Sequence, residues 1–174
     1  IYGSGTTYSY TSSGSPLSIT VNPLPTITTT GILSTLCFST ISQSATLSYT
    51  ATTYSPTSYS VLWDASANIA GLGNQTSTTT SFSSGTGVVS PFNISSALAA
   101  GTYNGTMTIL NANGCSNTKS ISVNINPLPT IITTGILSPL CYSTNVQTAT
   151  LSYTASTNSP TSYSVLWDAS ANIA

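Results

Sequence analysis

The chain has 174 residues, and its only charged side chains are Asp64, Lys119 and Asp168; Ser and Thr contribute 33 residues each, while Glu, Arg and His are missing. About a quarter of a soluble protein is ordinarily charged, so the shortage excludes whole classes of function. Acid–base catalysis needs a group titrating near neutrality. Metal sites need clustered His, Cys or carboxylates, and nucleic-acid binding needs Lys and Arg against phosphate. The composition therefore reads as non-enzymatic, with no cofactor, no metal and no nucleic-acid partner. It does not read as disordered, because 39% of the residues are hydrophobic and 9% aromatic, more apolar surface than solvated disorder carries. No apolar run approaches the roughly 18 residues that a membrane-spanning helix needs, so no membrane insertion is expected. No basic segment leading into an apolar one opens the chain as a secretory signal would.

In chain order, Leu17, Ile19 and Val21 alternate with polar residues over 17–21, the period of a half-buried strand. Asn22-Pro23-Leu24-Pro25-Thr26 follows. Each proline fixes φ and removes a donor, so 22–26 is expected to be a short stiff connector. Gly31 punctuates the next stretch. Ala45, Leu47, Tyr49 and Ala51 share one face of a strand over 45–51, and Tyr59, Val61 and Trp63 share one over 59–63. Gly71-Leu72-Gly73, Gly85 and Gly87 mark turns. Tyr103, Met107 and Ile109 predict a strand over 103–109 with Gly105 between them. Asn113-Gly114 turns the chain into 121–125, where Ile121, Val123 and Ile125 alternate with Ser122 and Asn124. No stretch sustains a helical period. Roughly seven short strands in about 100 residues predict an all-β fold of antiparallel immunoglobulin-like β-sandwich type.

The connector recurs as Asn126-Pro127-Leu128-Pro129-Thr130, at an offset of 104. Residues 22–70 and 126–174 align without a gap, and 41 of the 49 positions are identical. A period of this length is a whole domain rather than a solenoid turn. Residues 1–21 then read as the last strands of a preceding unit, 22–125 as one complete unit, and 126–174 as the first half of the next. More copies are expected in the full polypeptide. Two of the three charges occupy one repeat position, Asp64 and Asp168, so a complete unit is formally neutral. Its polar faces carry hydroxyls, which hydrogen-bond without repulsion and leave strand edges without charged gatekeepers.

A few residues carry chemistry. Cys37 lies before the first long strand and Cys115 before the last. That placement suits a disulfide, with Cys141 pairing beyond residue 174; three free thiols, or a Cys115–Cys141 bridge, are the alternatives. Asp64 reads as a turn or capping carboxylate rather than a salt-bridge partner of Lys119. An isopeptide bond at Lys119 would need a nearby acid, and Asp64 alone could serve. Trp63 reads as core, with stacking on a sugar ring as the functional alternative. Asn74, Asn93 and Asn104 each open an Asn-X-Ser/Thr pattern, a glycosylation acceptor where the host glycosylates Asn.

The phrase Gly101-Thr102-Tyr103, then Leu110-Asn111-Ala112-Asn113-Gly114-Cys115, then Ile121-Ser122-Val123-Asn124-Ile125-Asn126-Pro127-Leu128-Pro129 resembles the tandem immunoglobulin-like or PKD-like repeats of Bacteroidota surface proteins. An early cysteine, here Cys37 or Cys141, is similar as well. Thr11, which stands where the offset would place a cysteine, departs from the pattern. The resemblance implies large proteins exported by the type IX system, acting as adhesins, gliding-motility filaments or extracellular fibres, without catalytic residues. The expected function is therefore a structural repeat of a secreted filament or surface fibre that self-associates with other copies. The alternative is a cell-surface adhesin that binds a glycan or another cell, with these repeats as its stalk. Either places the protein outside the cell or at its surface.

Overall fold

The computed structural model describes residues 6–10 and 17–168 and divides the chain into two compact units, 1–126 and 127–174. In the first unit, β1 (Thr6–Tyr10) and β2 (Leu17–Val21) form an antiparallel hairpin registered from Thr6 opposite Val21 to Tyr10 opposite Leu17. Ile19 and Val21 remain exposed there, so the alternation over 17–21 does not bury those two side chains.

The rest of this unit is built from β3 (Thr26–Thr28), β4 (Leu36–Cys37), β5 (Gln43–Tyr49), β6 (Ala51–Thr53), β7 (Pro56–Trp63), a short helix α1 (Ala65–Ile69), β8 (Gln75–Thr79), β9 (Gly87–Ile94), β10 (Gly101–Asn111) and β11 (Ser116–Asn126). One sheet has the order β4-β11-β10-β7-β8, with β4 parallel to β11 and the other pairs antiparallel. Opposite it, β5 pairs with β9 and β6 with β3. Inward residues of both layers close one core: Tyr59, Val61 and Trp63 from β7, Met107 and Ile109 from β10, Ile121, Val123 and Ile125 from β11, against Ala45, Leu47, Val89 and Phe92. These are the alternating sets the sequence predicts, each buried because a strand must hide its apolar face against another layer. The fold is all-β, as expected.

Two local devices give the unit its path. Between β3 and β4 the chain leaves one layer for the other at Gly31, whose φ is +80°. Its carbonyl accepts from Ser122 N–H at 2.8 Å, and Leu33 N–H donates to Ser122 O at 2.9 Å. A Cβ on Gly31 would fall 2.3 Å from Ser120 O, so only glycine fits this crossing. The second device is a break at Thr50. Ala45, Leu47 and Tyr49 are buried as expected, but the pattern then slips: Thr52 is buried in place of Ala51. Thr50 N–H turns aside to Thr28 O at 2.9 Å, a shift of one residue that swaps the faces of the strand. The buried Thr52 hydroxyl is satisfied by Ser83 O at 2.6 Å.

The second unit holds β12 (Thr130–Leu137) and β13 (Leu151–Thr157). Over three pairs their pairing copies that of the first unit at the 104 offset, Thr130 opposite Thr157 as Thr26 is opposite Thr53, and Ile132 opposite Ala155 as Thr28 is opposite Ala51; beyond them Thr133 and Leu137 pair with Tyr153 and Leu151, whose counterparts Tyr49 and Leu47 pair with β9. Local hydrogen bonds are copied too. Ser138 N–H donates to Thr150 O, as Ser34 N–H does to Thr46 O, and Thr150 N–H donates to Ser138 Oγ, as Thr46 N–H does to Ser34 Oγ. Burial is not copied. Leu151, Tyr153, Tyr163, Val165 and Trp167 are exposed, where Leu47, Tyr49, Tyr59, Val61 and Trp63 are buried.

Candidate functional site

Trp63 ends β7 at 3% exposure, packed in the core, so the sugar-stacking role weighed for it is not available. Asp64 follows as the N-cap of α1. Its carboxylate accepts from Ala67 N–H and from Ser66 Oγ–H, both at 2.8 Å, satisfying donors that a helix start leaves open. These bonds hold the Asp64 carboxyl below the usual carboxylate range, the Ala67 N–H contributing most. The carboxylate is thus spent on capping, and it makes no ion pair with Lys119. The five-residue helix it caps was not expected from periodicity, because one turn is too short to show a period. The string Asp64-Ala65-Ser66-Ala67, a cap residue before helix formers, was the signal for it.

An open groove of about 430 Å³ lies on the outer face of the five-stranded sheet beside this cap, lined among others by Leu62, Asp64, Asn104, Thr106 and Ser120. Its strongest polar group is already engaged, and Asn104 O accepts from Asp64 N–H at 3.0 Å. Among the described residues no three metal-ligating side chains cluster, and no helix is long and apolar enough to cross a membrane. Asn74, Asn93 and Asn104 are all exposed. Asn74 Oδ1 accepts from Trp63 N–H at 2.9 Å, so that side chain is tied to the strand end it faces.

The best-built polar constellation holds the incoming connector. Asn111 ends β10 with its side chain 4% exposed. Its Oδ1 accepts from Asn113 N–H at 3.1 Å and Cys115 N–H at 3.0 Å, closing the β10–β11 turn. Its Nδ2 donates to Pro23 O and to Tyr54 O, each at 3.4 Å. Asn117 Nδ2 donates to Pro25 O at 3.1 Å, and the Cys115 thiol reaches Asn22 O at 3.8 Å. Proline has no N–H to donate but keeps its carbonyl as an acceptor, and the two asparagines hold the connector through the Pro23 and Pro25 carbonyls. Pro25 itself is fully buried. The sequence named Asn111 only within a resemblance; an Asn before a tight Asn-Gly turn was the available signal.

The expected Cys37–Cys115 disulfide is not formed; Cys37, Cys115 and Cys141 are free thiols. The reason is topological. Cys37 pairs with Asn126 at the end of β11, whereas Cys115 precedes its start at Ser116. At about 3.3 Å per residue the strand holds them roughly 35 Å apart, and a disulfide needs Cα atoms within about 7 Å. The sequence placed both cysteines correctly beside strands, but not the parallel β4–β11 pairing that sends them to opposite ends.

No protein-family model, curated protein or solved structure matches the chain.

Proposed function

We propose that the chain is a non-enzymatic structural part of a secreted extracellular filament or surface fibre, built from tandem immunoglobulin-like β-sandwich units joined by the Asn-Pro-Leu-Pro connector, of the kind found in Bacteroidota surface proteins. One observation carries this reading: at a fixed offset of 104 residues, the pairing of 130–132 with 155–157 and the hydrogen bonds of Ser138 with Thr150 repeat those of 26–28 with 51–53 and of Ser34 with Thr46. A repeat that keeps its sequence and its local pairing suits a spacer, because a binding face would be used once and left free to diverge. The formally neutral, hydroxyl-covered surface supports self-association, since no net field keeps copies apart and few charges guard the edge strands.

The test is electron microscopy of the purified chain across a range of concentrations. Filaments or laterally bundled particles are expected; dispersed particles at every concentration would overturn the reading.

The adhesin alternative asks for an exposed aromatic cluster on a complete unit. Tyr49, Tyr59 and Trp63 are buried there, Tyr103 is half-buried, and Tyr54 is 42% exposed. That distribution favours the spacer role, and glycan-array binding by the chain would reverse the preference.

A further inference from the structure

Residues 22–38 run beside β11 in the same direction over nearly its whole length. Asn22 O lies 3.8 Å from the Cys115 thiol, just ahead of the strand, and Pro25 O accepts from Asn117 Nδ2 at 3.1 Å. Further along, Gly31 O accepts from Ser122 N–H at 2.8 Å, and Leu33 N–H donates to Ser122 O at 2.9 Å. Ile32 bridges Ser122 in parallel, Leu36 and Cys37 pair in parallel with Ile125 and Asn126, and Phe38 N–H donates to Asn126 O at 2.8 Å. The partners on β11 thus follow the order of 22–38, from the end where one connector enters to the end where the next begins.

We propose that 22–38 and β11 form a shear joint that carries tension across the complete unit, from the connector at 22–25 to the connector at 126–129. The inference deepens the fibre reading above and rests on it for the source of the tension. Pulled at Asn22, the segment is drawn back toward the start of β11. Pulled at Asn126, β11 is drawn the opposite way. Two parallel segments pulled at opposite ends slide along one another, so every contact between them is strained at once. Pulled at ends lying side by side, the same contacts would open in turn, each meeting the load alone. One hydrogen bond contributes little by itself, so loading the whole row together is what gives the joint its strength.

Side chains add to the row. Pro25 and Leu33 are buried, and Ile27 and Leu36 pack against the core. Sliding must draw these apolar groups into water along with the backbone. From β10, Asn111 Nδ2 holds Pro23 O at 3.4 Å, so the connector is tied to the strand pair at the point where the pull arrives.

The experiment is single-molecule force spectroscopy on the full chain, with Cys37, Cys115 and Cys141 replaced by Ser and two cysteine handles placed at exposed positions. Val21→Cys with Leu128→Cys pulls along the joint. Val21→Cys with Asn113→Cys pulls the same segment away from the β10–β11 turn at one end. The complete unit is expected to unfold at higher force with the first pair than with the second. Asn117→Ala removes one bond of the row and should speed unfolding at a fixed axial load by roughly tenfold. Equal forces in the two geometries, or a higher force in the second, would overturn the proposal. An axial unfolding rate unchanged by Asn117→Ala would remove the connector from the joint and overturn it as stated. The handles supply the tension, so a chain that forms no filaments in microscopy would end the fibre reading while leaving the difference between the two pulling directions intact.

Discussion

Gly105 lies directly opposite Trp63 across the β7–β10 pair, and the indole fills the space that a side chain on Gly105 would need. A Cβ there would sit 2.8 Å from Trp63 Cε3 and 3.0 Å from Leu62 O. The indole is fixed in the core and the carbonyl belongs to a paired strand, so neither yields cheaply. Gly105→Ala is expected to destabilise the first unit by roughly 1–3 kcal/mol, only partly offset by the stiffer unfolded chain, about 0.5 kcal/mol. Urea unfolding followed by Trp63 fluorescence in a Trp167→Phe background measures it. An unchanged or higher midpoint would refute the contact.

Asn111 satisfies four backbone groups from three separate segments: the connector, the β6–β7 turn and its own hairpin. Asn111→Ala strips partners from all of them and should cost about 1–3 kcal/mol. Asn111→Asp keeps the two acceptor bonds but turns a carboxylate toward Pro23 O and Tyr54 O. Despite its near-identical shape it should cost at least as much, because a buried charge facing acceptors is uncompensated. Limited proteolysis should show faster cleavage around 22–25 in both. Resistance equal to the parent chain in both would remove the gripping role.

The outward and inward residues of the main strands were legible in the sequence because Ala45, Leu47, Tyr59, Val61, Ile121 and Val123 alternate strictly and period two has one structural reading. The repeat was legible for a simpler reason: identity at 41 of 49 positions needs no physics. What escaped notice depended on contacts between distant segments. Thr52 takes the buried place expected of Ala51 because Thr50 is pulled to Thr28, a pairing no local pattern announces. The expected Cys37–Cys115 bridge is not formed because the crossing at Gly31, which brings β4 parallel to the end of β11, is decided by the backbone path. Asp64, by contrast, was read correctly as a cap, because capping is local chemistry.

The pH dependence of stability should be unusually simple. With no His and no Glu, little titrates between about pH 5 and 8, so the unfolding midpoint should be flat there. The folded-state pKa of Asp64 is depressed. Its contribution is therefore present above the unfolded value of about 4 and lost as the pH falls through the folded one. At the other end, burial raises the Tyr59 pKa, opposed by hydrogen bonds from Gln75 and Thr78. Its contribution is present below the unfolded value of about 10 and lost as the pH rises through the folded one. Asp64→Asn keeps a competent cap and should shrink the drop in midpoint between pH 6 and pH 3. An identical drop in both chains would show that the cap charge does not matter.

Trp63 and Trp167 occupy one repeat position, yet one is 3% and the other 52% exposed. Identical neighbours in sequence therefore do not bury the indole; the strands β10 and β11 do, through Gly105, Met107 and Ile121. In single-tryptophan chains, the one retaining Trp63 should emit at shorter wavelength and resist acrylamide quenching, while the one retaining Trp167 should emit as a hydrated indole and quench readily. Replacement energetics should split the same way. Trp63→Phe opens space in a packed core and should cost roughly 1–3 kcal/mol, whereas Trp167→Phe should stay within about 0.5 kcal/mol. Equal quenching in the two chains would mean that burial is encoded within 22–70 itself rather than supplied by the strands that follow.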